Sequence, residues 1–311
     1  MRLYAGTSTE FIHLNKRNLM AGQMQEAFLQ KLGRTPSPQE VMSWRNSLNR
    51  MADVLQTSGF EHQGVMVEYQ LPTNSQRLDC LVFGHDESGK SNAVIIELKQ
   101  WERAELSAYD SDKVLTWVAG GNREVLHPAV QVGGYCNYLR QNLTAFYEGE
   151  AIGLEACSYL HNYSFDPADP LFDPRFKAYT DEYPVYTLQD YDALSNYLIK
   201  RVGEGEDVPI MKKVESSRYR PSPKLMKQVS QVIRKKLKGE LNVIGVNEDY
   251  ILLDEQVIAY DTVLSLVKRG LGSHEKHAVI IQGGPGTGKS VIALKLLANL
   301  HAMGKNAQYA T

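Results

Sequence analysis

Two stretches of this 311-residue sequence carry residue types spaced for phosphate chemistry. In QRLDCLVFG a lone acid, Asp79, interrupts an apolar run, and the next apolar run, AVIIELK, closes with Glu97 and Lys99 two positions apart. Strand alternation puts Glu97 and Lys99 on one face. If the two runs pair, Asp79 comes beside Glu97, and two converging carboxylates offer oxygen ligands to Mg²⁺ or Mn²⁺. A cation there polarises a phosphoryl oxygen and acidifies water, while Lys99 orients the nucleophile or stabilises developing charge. Those are the parts that phosphodiester hydrolysis requires. An E-x-K at a strand end is also a common solvated surface pair, so the reading depends on Asp79 and on the surrounding elements.

The second stretch, GGPGTGKS, gives G-x-x-x-x-G-K-S at Gly283, Gly288, Lys289 and Ser290, with Gly286 inside the loop. It follows HAVIIQ and precedes VIALKLLANL, the strand-to-helix setting in which such a loop cradles nucleotide phosphates. Backbone amides wrap the phosphates, Lys289 reaches the β and γ positions, and Ser290 ligates Mg²⁺. ATP is the expected ligand. The sequence ends at NAQYAT, read as lying within the next strand, so the cradle is expected to lack the downstream acid and arginine that turnover requires, and ATP hydrolysis is not expected.

The elements that must hold these residues can be read from pattern. Residues 17–58 are helical in character, with Ser37 and Glu40 in capping-box spacing. GVMVEYQL (64–71), QRLDCLVFG (76–84) and AVIIELK (93–99) read as a three-stranded meander. Pro128 opens a helix through HPAVQVGGYCNYLRQNL, GLEACSYLHNY is a following strand, and PVYTL (184–188) a further one. The order implies a mixed sheet flanked by helices. Gly133 and Gly134 each cost about 1 kcal/mol in a helix relative to alanine, so a close approach by sheet or DNA is expected to compensate. Linker signals at 203–207 and 220–223 precede a basic helix (224–238), a hairpin in NVIGVNEDYILL, and a helix from about 255 to 268.

The net charge of −2 favours no partner class, but from Lys212 to Lys238 ten basic residues face one acid, Glu215. This run reads equally as a phosphate-backbone grip, with Arg234, Lys235 and Lys236 as contacts, or as a solvated linker and helix. Three scattered cysteines, Cys80, Cys136 and Cys157, point to a reducing cytoplasm. Met1 to Phe11 shows no basic flank followed by an apolar run, and no run of about 18 apolar residues occurs, so neither a leader nor a membrane partner is expected.

Asp79, Glu97 and Lys99, in this element order, resemble the signature of the PD-(D/E)XK nuclease superfamily. Gln131 and Tyr135 on the next helix resemble the Q-x-x-x-Y of RecB-family nucleases, where the pair lies beside the active site and DNA. The resemblance implies a third acid for the metal, for which Glu68 in MVEYQLP stands upstream; the usual helix-borne acid is missing, since SWRNSLNRMADVL offers only Asp53. Arg77 is read as a surface or DNA contact, and His127 and His161 as structural rather than ligating. LLDEQVIAY is similar to the Q-motif of superfamily 1 helicases, which makes Gln256 an adenine reader.

The whole layout is similar to bacterial proteins that fuse a PD-(D/E)XK domain to a Schlafen group 3-like DNA/RNA helicase domain. What this implies is an α/β chain: a restriction-endonuclease-like mixed sheet flanked by helices over 1–200, a basic linker and helix over 201–238, and the start of a RecA-like P-loop NTPase domain over 239–311. The implied activity is a Mg²⁺-dependent deoxyribonuclease, coupled in a longer form to an ATP-binding helicase domain and serving defence against foreign DNA. DNA and nucleotide are the expected partners, with RNA and self-association into a homo-oligomer left open. The alternatives are a catalytically silent module that holds DNA or a partner, and a nucleotide-sensing regulator.

Overall fold

The computed structural model describes residues 1–71, 76–107, 111–118, 120–166, 168–205, 208–220, 222–223, 254–273, 276–283, 288–303, 305 and 307. The chain divides into two compact units, one of Met1–Leu71 with Arg77–Arg220 and a second containing Pro221–Thr311.

The first unit is a mixed α/β layer structure. It opens with β1 (Tyr4–Thr7) and the helices α1 (Ser8–Lys16), α2 (Met20–Leu32) and α3 (Pro38–Thr57). Strands β2 (Gly64–Gln70), β3 (Arg77–His85) and β4 (Ser91–Lys99) follow, then β5 (Glu105–Leu106), β6 (Lys113–Val118) and β7 (Gly121–Leu126). Helix α4 (Pro128–Asn142) leads to β8 (Gly153–Leu160), α5 (Lys177–Glu182), β9 (Val185–Thr187), α6 (Tyr191–Val202) and α7 (Val208–Glu215). A six-stranded sheet runs in the order β1-β2-β3-β4-β8-β9. Its first four strands are antiparallel neighbours, whereas β4, β8 and β9 are parallel. Parallel pairing demands a crossover, and α4 supplies it between β4 and β8.

Period-two alternation decides what each face meets. Val65, Val67, Cys80, Val82, Val94, Ile96, Cys157 and Tyr159 point to one face and join a core with the apolar stripes of α1, α2, α3 and α6. The stripe on α3, Val41, Trp44, Leu48, Met51, Ala52 and Leu55, has the spacing that buries one side of a helix. Ser37 caps α3 by accepting from the Glu40 amide at 3.1 Å. The reciprocal half of that expected box is missing, because the Glu40 carboxylate pairs with Arg77. On the opposite face lie Leu81, Phe83, Ala93, Ile95 and Ala156, all buried, with α4 packed across β4 and β8.

Gly133 allows α4 its close approach. A Cβ there would stand 2.6 Å from Cε2 of Tyr183, so the close approach at this glycine is made by an aromatic ring beyond α5 and not by the sheet. The three strands expected at 64–71, 76–84 and 93–99, the helix at Pro128 and the strands at 153 and 184 are all present. Strand β1, helix α1 and the separate three-stranded sheet β5-β6-β7 had no counterpart in the sequence pattern.

In the second unit, α8 (Asp254–Ser273) and α9 (Lys289–Ala302) pack together, and Asn299 donates to the Tyr260 hydroxyl at 2.7 Å. The strand expected at HAVIIQ is not formed: residues 276–283 carry no regular structure, and Val279 and Ile280 are 41% and 85% exposed. A strand needs an edge to pair with, and none of the described residues offers this run one. The basic helix at 224–238 and the hairpin at 242–253 lie outside the described residues. No helix among the described residues is long and apolar enough to cross a membrane.

Candidate functional site

The sheet register brings the acids of the first unit onto one row. Val67 pairs with Cys80 and Tyr69 with Leu78, which sets Glu68 opposite Asp79; Cys80 pairs with Ile96, which sets Asp79 opposite Glu97. The parallel ladder continues the row from Glu97 to Ser158. Residues directly opposite in neighbouring strands share a face, so Asp79 and Glu97 stand together on the side that α4 covers. The backbone ladder between β3 and β4 stops here, and the Leu98 amide donates instead to Asp79 Oδ2 at 2.8 Å. Glu97 is 3% exposed, and its Oε1 accepts from Lys99 Nζ at 2.9 Å. The Lys99 ammonium also lies 5.6 Å from the centre of the Trp101 ring, an electrostatically favourable position over an aromatic face.

Burial pushes the Asp79 carboxyl well above the usual carboxylate range; the nearby Glu68 charge adds to this, while Lys99 and the Leu98 amide pull the other way. Burial raises Glu68 too, against the Arg77 charge and the Trp44 hydrogen bond. A row of desolvated carboxylates that resist ionisation is the electrostatic setting a divalent cation relieves.

Glu68 sits on the row but is directed differently. Its backbone is left-handed at φ +52°, a conformation costing roughly 1–2 kcal/mol for a residue with a Cβ. Its Oε1 accepts from Trp44 Nε1 at 2.9 Å, and its Oε2 meets Arg77 Nε at 3.0 Å. Arg77 reaches Glu40 as well, at 2.5 Å, and covers the Phe28 ring. Arg77, expected at the DNA, is thus engaged by two carboxylates, and the two Glu68 oxygens are engaged by Trp44 of α3 and Arg77 of β3. Among the described residues no group of three or more His, Cys, Asp or Glu side chains could hold a metal ion. Mg²⁺ commonly takes one or two carboxylates and fills its remaining positions with water and substrate phosphate, so the Asp79 and Glu97 pair, hard oxygens on one row, fits that ion.

Helix α4 carries Gln131 and Tyr135 four residues apart and buried, with the Gln131 amide donating to the Tyr135 hydroxyl at 2.8 Å. His127 starts this helix: its Nδ1 accepts from the Ala129 amide at 3.2 Å, its Nε2 donates to the Leu171 carbonyl at 3.0 Å, and its ring stacks on Phe176 at 4.0 Å. Burial lowers its pKa to about 4, partly opposed by the Leu171 hydrogen bond. His161 bonds Ser47 at 3.0 Å and Asn162 at 3.1 Å. Both histidines occupy packing and capping positions.

In the second unit, Lys289 Nζ donates to the Gly283 carbonyl at 2.6 Å. Gly288 is left-handed at φ +83°, and a Cβ there would collide with the Gln256 amide. The structure therefore brings Gln256, at the start of α8, against the loop that leads into α9. The amides of Val291 and Ile292 reach back to the Gly288 carbonyl at 2.9 and 3.0 Å, and Lys289 and Ser290 are exposed at the helix start. Gly286, Arg234, Lys235 and Lys236 lie outside the described residues.

Residues 276–311 match the family model for the Schlafen group 3, DNA/RNA helicase domain. That stretch takes in the glycine loop and α9, and the match ties it to a helicase-type, nucleic-acid-related function. No curated protein and no solved structure matches the chain.

The partners of the acidic row were not legible in advance. Trp44 and Ser158 lie far from Asp79 in sequence, carry no motif, and reach the row only through strand register and the packing of α3, whereas Trp101 follows Lys99 by two residues.

Proposed function

We propose that the first unit is a metal-dependent nuclease of the PD-(D/E)XK type acting on DNA, joined to a nucleotide-binding helicase-type segment. The observation that carries the reading is the register row: Asp79 and Glu97 side by side on the face beneath α4, with Lys99 two residues beyond Glu97 and hydrogen-bonded to it. The sheet flanked by helices, with β4 and β8 linked through α4, supports the same reading, as does the Gln131–Tyr135 pair on that helix.

In this mechanism Asp79 and Glu97 hold Mg²⁺ or Mn²⁺, which when bound supplies Lewis acidity toward the scissile phosphate and its attacking water. Asp79 is held by the Leu98 amide and keeps its other oxygen for binding. Lys99, held between Glu97 and Trp101, is the cation that would stabilise negative charge developing on the phosphate. Gln131 and Tyr135 position the DNA strand from α4. Glu68 acts through charge, neutralised by Arg77 and raising the proton affinity of Asp79. In the second unit the Gly283–Ser290 loop and Gln256 hold ATP. Defence against foreign DNA is the biological setting that the family resemblance favours.

The test is incubation of the purified chain with circular single- and double-stranded DNA and RNA, in Mg²⁺, Mn²⁺ or EDTA, alongside Glu97→Gln and Lys99→Ala. Metal-dependent cleavage lost in both variants supports the reading. Equal cleavage by Glu97→Gln sinks the site assignment, and DNA binding without cleavage by the parent favours a silent binding module, a reading that fits a row with no third ligating side chain among the described residues.

A further inference from the structure

We propose that Ser158 is a positioning residue of the acidic row, its hydroxyl serving as the hydrogen-bond donor that holds the Glu97 carboxylate when Lys99 turns to the reacting phosphate. The proposal rests on the nuclease reading above. Ser158 on β8 is the register partner of Glu97 on β4, so the two side chains emerge on the same face, about 4.8 Å apart at the backbone.

Ser158 is 0% exposed, and its Oγ is buried with no hydrogen-bond partner among the described residues. A buried hydroxyl without a partner has lost its hydrogen bonds to water without replacing them, which is unfavourable. Its backbone gains nothing from the side chain, since the Ser158 amide already donates to the Pro184 carbonyl at 2.9 Å. Two residues earlier on the same face the strand carries Ala156, also buried, so a methyl group suits this layer. The chain keeps a hydroxyl where alanine would pack as well.

The site supplies a use for it. A carboxylate that binds a cation needs a second partner to fix its orientation. Asp79 has one in the Leu98 amide. Glu97 has Lys99, but that ammonium is also the group required at the phosphate, and when it moves, Glu97 loses a donor. A rotation of Ser158 about χ1, among three staggered wells, brings its hydroxyl toward the Glu97 side. Ser158 then does for Glu97 what the Leu98 amide does for Asp79.

The experiment uses the whole chain as parent, Ser158→Ala and Asp79→Asn. It measures unfolding in EDTA, Mn²⁺ affinity by calorimetry without DNA, and single-turnover cleavage across DNA concentrations. Ser158→Ala should unfold in EDTA no more readily than the parent and bind Mn²⁺ about 10–100-fold more weakly. It should also cleave more slowly at saturating DNA, with the half-saturating DNA concentration unchanged. A Ser158→Ala protein with the parent's Mn²⁺ affinity and rate overturns the proposal. One destabilised in EDTA also overturns it, because the hydroxyl would then be structural. A parent that binds no Mn²⁺ overturns the nuclease reading itself, a result distinct from a parent that binds Mn²⁺ as well as Ser158→Ala does.

Discussion

Acidification should loosen the start of α4 through one imidazole. His127 is fully buried, accepts from the Ala129 amide through Nδ1, and therefore must be neutral with its proton on Nε2, where it donates to Leu171. Protonating Nδ1 would destroy the cap and place a charge against Phe176. Burial lowers the pKa from the ordinary value of 6.5 to about 4. The unfolded chain takes up this proton near pH 6.5 and the folded chain only near pH 4, so the stabilisation is intact above pH 6.5 and is lost as pH falls between those values. At roughly 1.4 kcal/mol for each pH unit, the loss at pH 4 is about 3 kcal/mol. The assay is urea unfolding of the parent and His127→Asn from pH 7.5 to 4. Asparagine retains a cap but not the stack, so the variant should be less stable at neutral pH, and the two curves should converge as the solution is acidified. An NMR titration should find the His127 ring still neutral at pH 5. A ring that titrates near 6.5, or two parallel stability curves, would refute the argument.

Asp79→Asn should abolish cleavage and yet stabilise the chain in EDTA by about 1–3 kcal/mol, since asparagine keeps an acceptor for the Leu98 amide and removes a desolvated charge. Because burial raises the Asp79 pKa from 3.8 to about 7, the stability this carboxyl contributes should be lost as pH rises from about 4 to about 7, and a variant whose difference from the parent does not follow that slope would count against the acidic row. Gly133→Ala should cost about 1–3 kcal/mol by driving a Cβ into the Tyr183 ring, measured by thermal unfolding, whereas an unchanged melting temperature would show that α4 is free to lift. Gly288→Ala should weaken binding of a fluorescent ATP analogue at least tenfold, because alanine meets both the left-handed backbone and the Gln256 amide; parent-like affinity would detach the loop from nucleotide binding.

The elements that position the candidate site were legible because they follow simple periods. Alternation in AVIIELK and QRLDCLVFG placed Glu97, Lys99 and Asp79 on one face, and a four-residue step on a helix placed Gln131 beside Tyr135. The rest depended on tertiary choices that no local period records. The left-handed backbone of Glu68 and its bonds to Trp44 and Arg77 arise where α3 meets β2, so an acid that looked like a third ligand is tied elsewhere. The compensation for Gly133 comes from Tyr183, fifty residues on. The apolar HAVIIQ run had the composition of a buried strand but lacks an edge to pair with among the described residues.

In the proposed function Asp79 and Glu97 together form a cation site at which DNA is cut. Anomalous diffraction from crystals of the chain grown with Mn²⁺ and a non-cleavable oligonucleotide tests it most directly. The expected result is a Mn²⁺ peak bonded to one oxygen each of Asp79 and Glu97, with a phosphate oxygen and waters completing the shell and Lys99 turned toward the phosphate. A structure with DNA bound but no Mn²⁺ between those two carboxylates would contradict it.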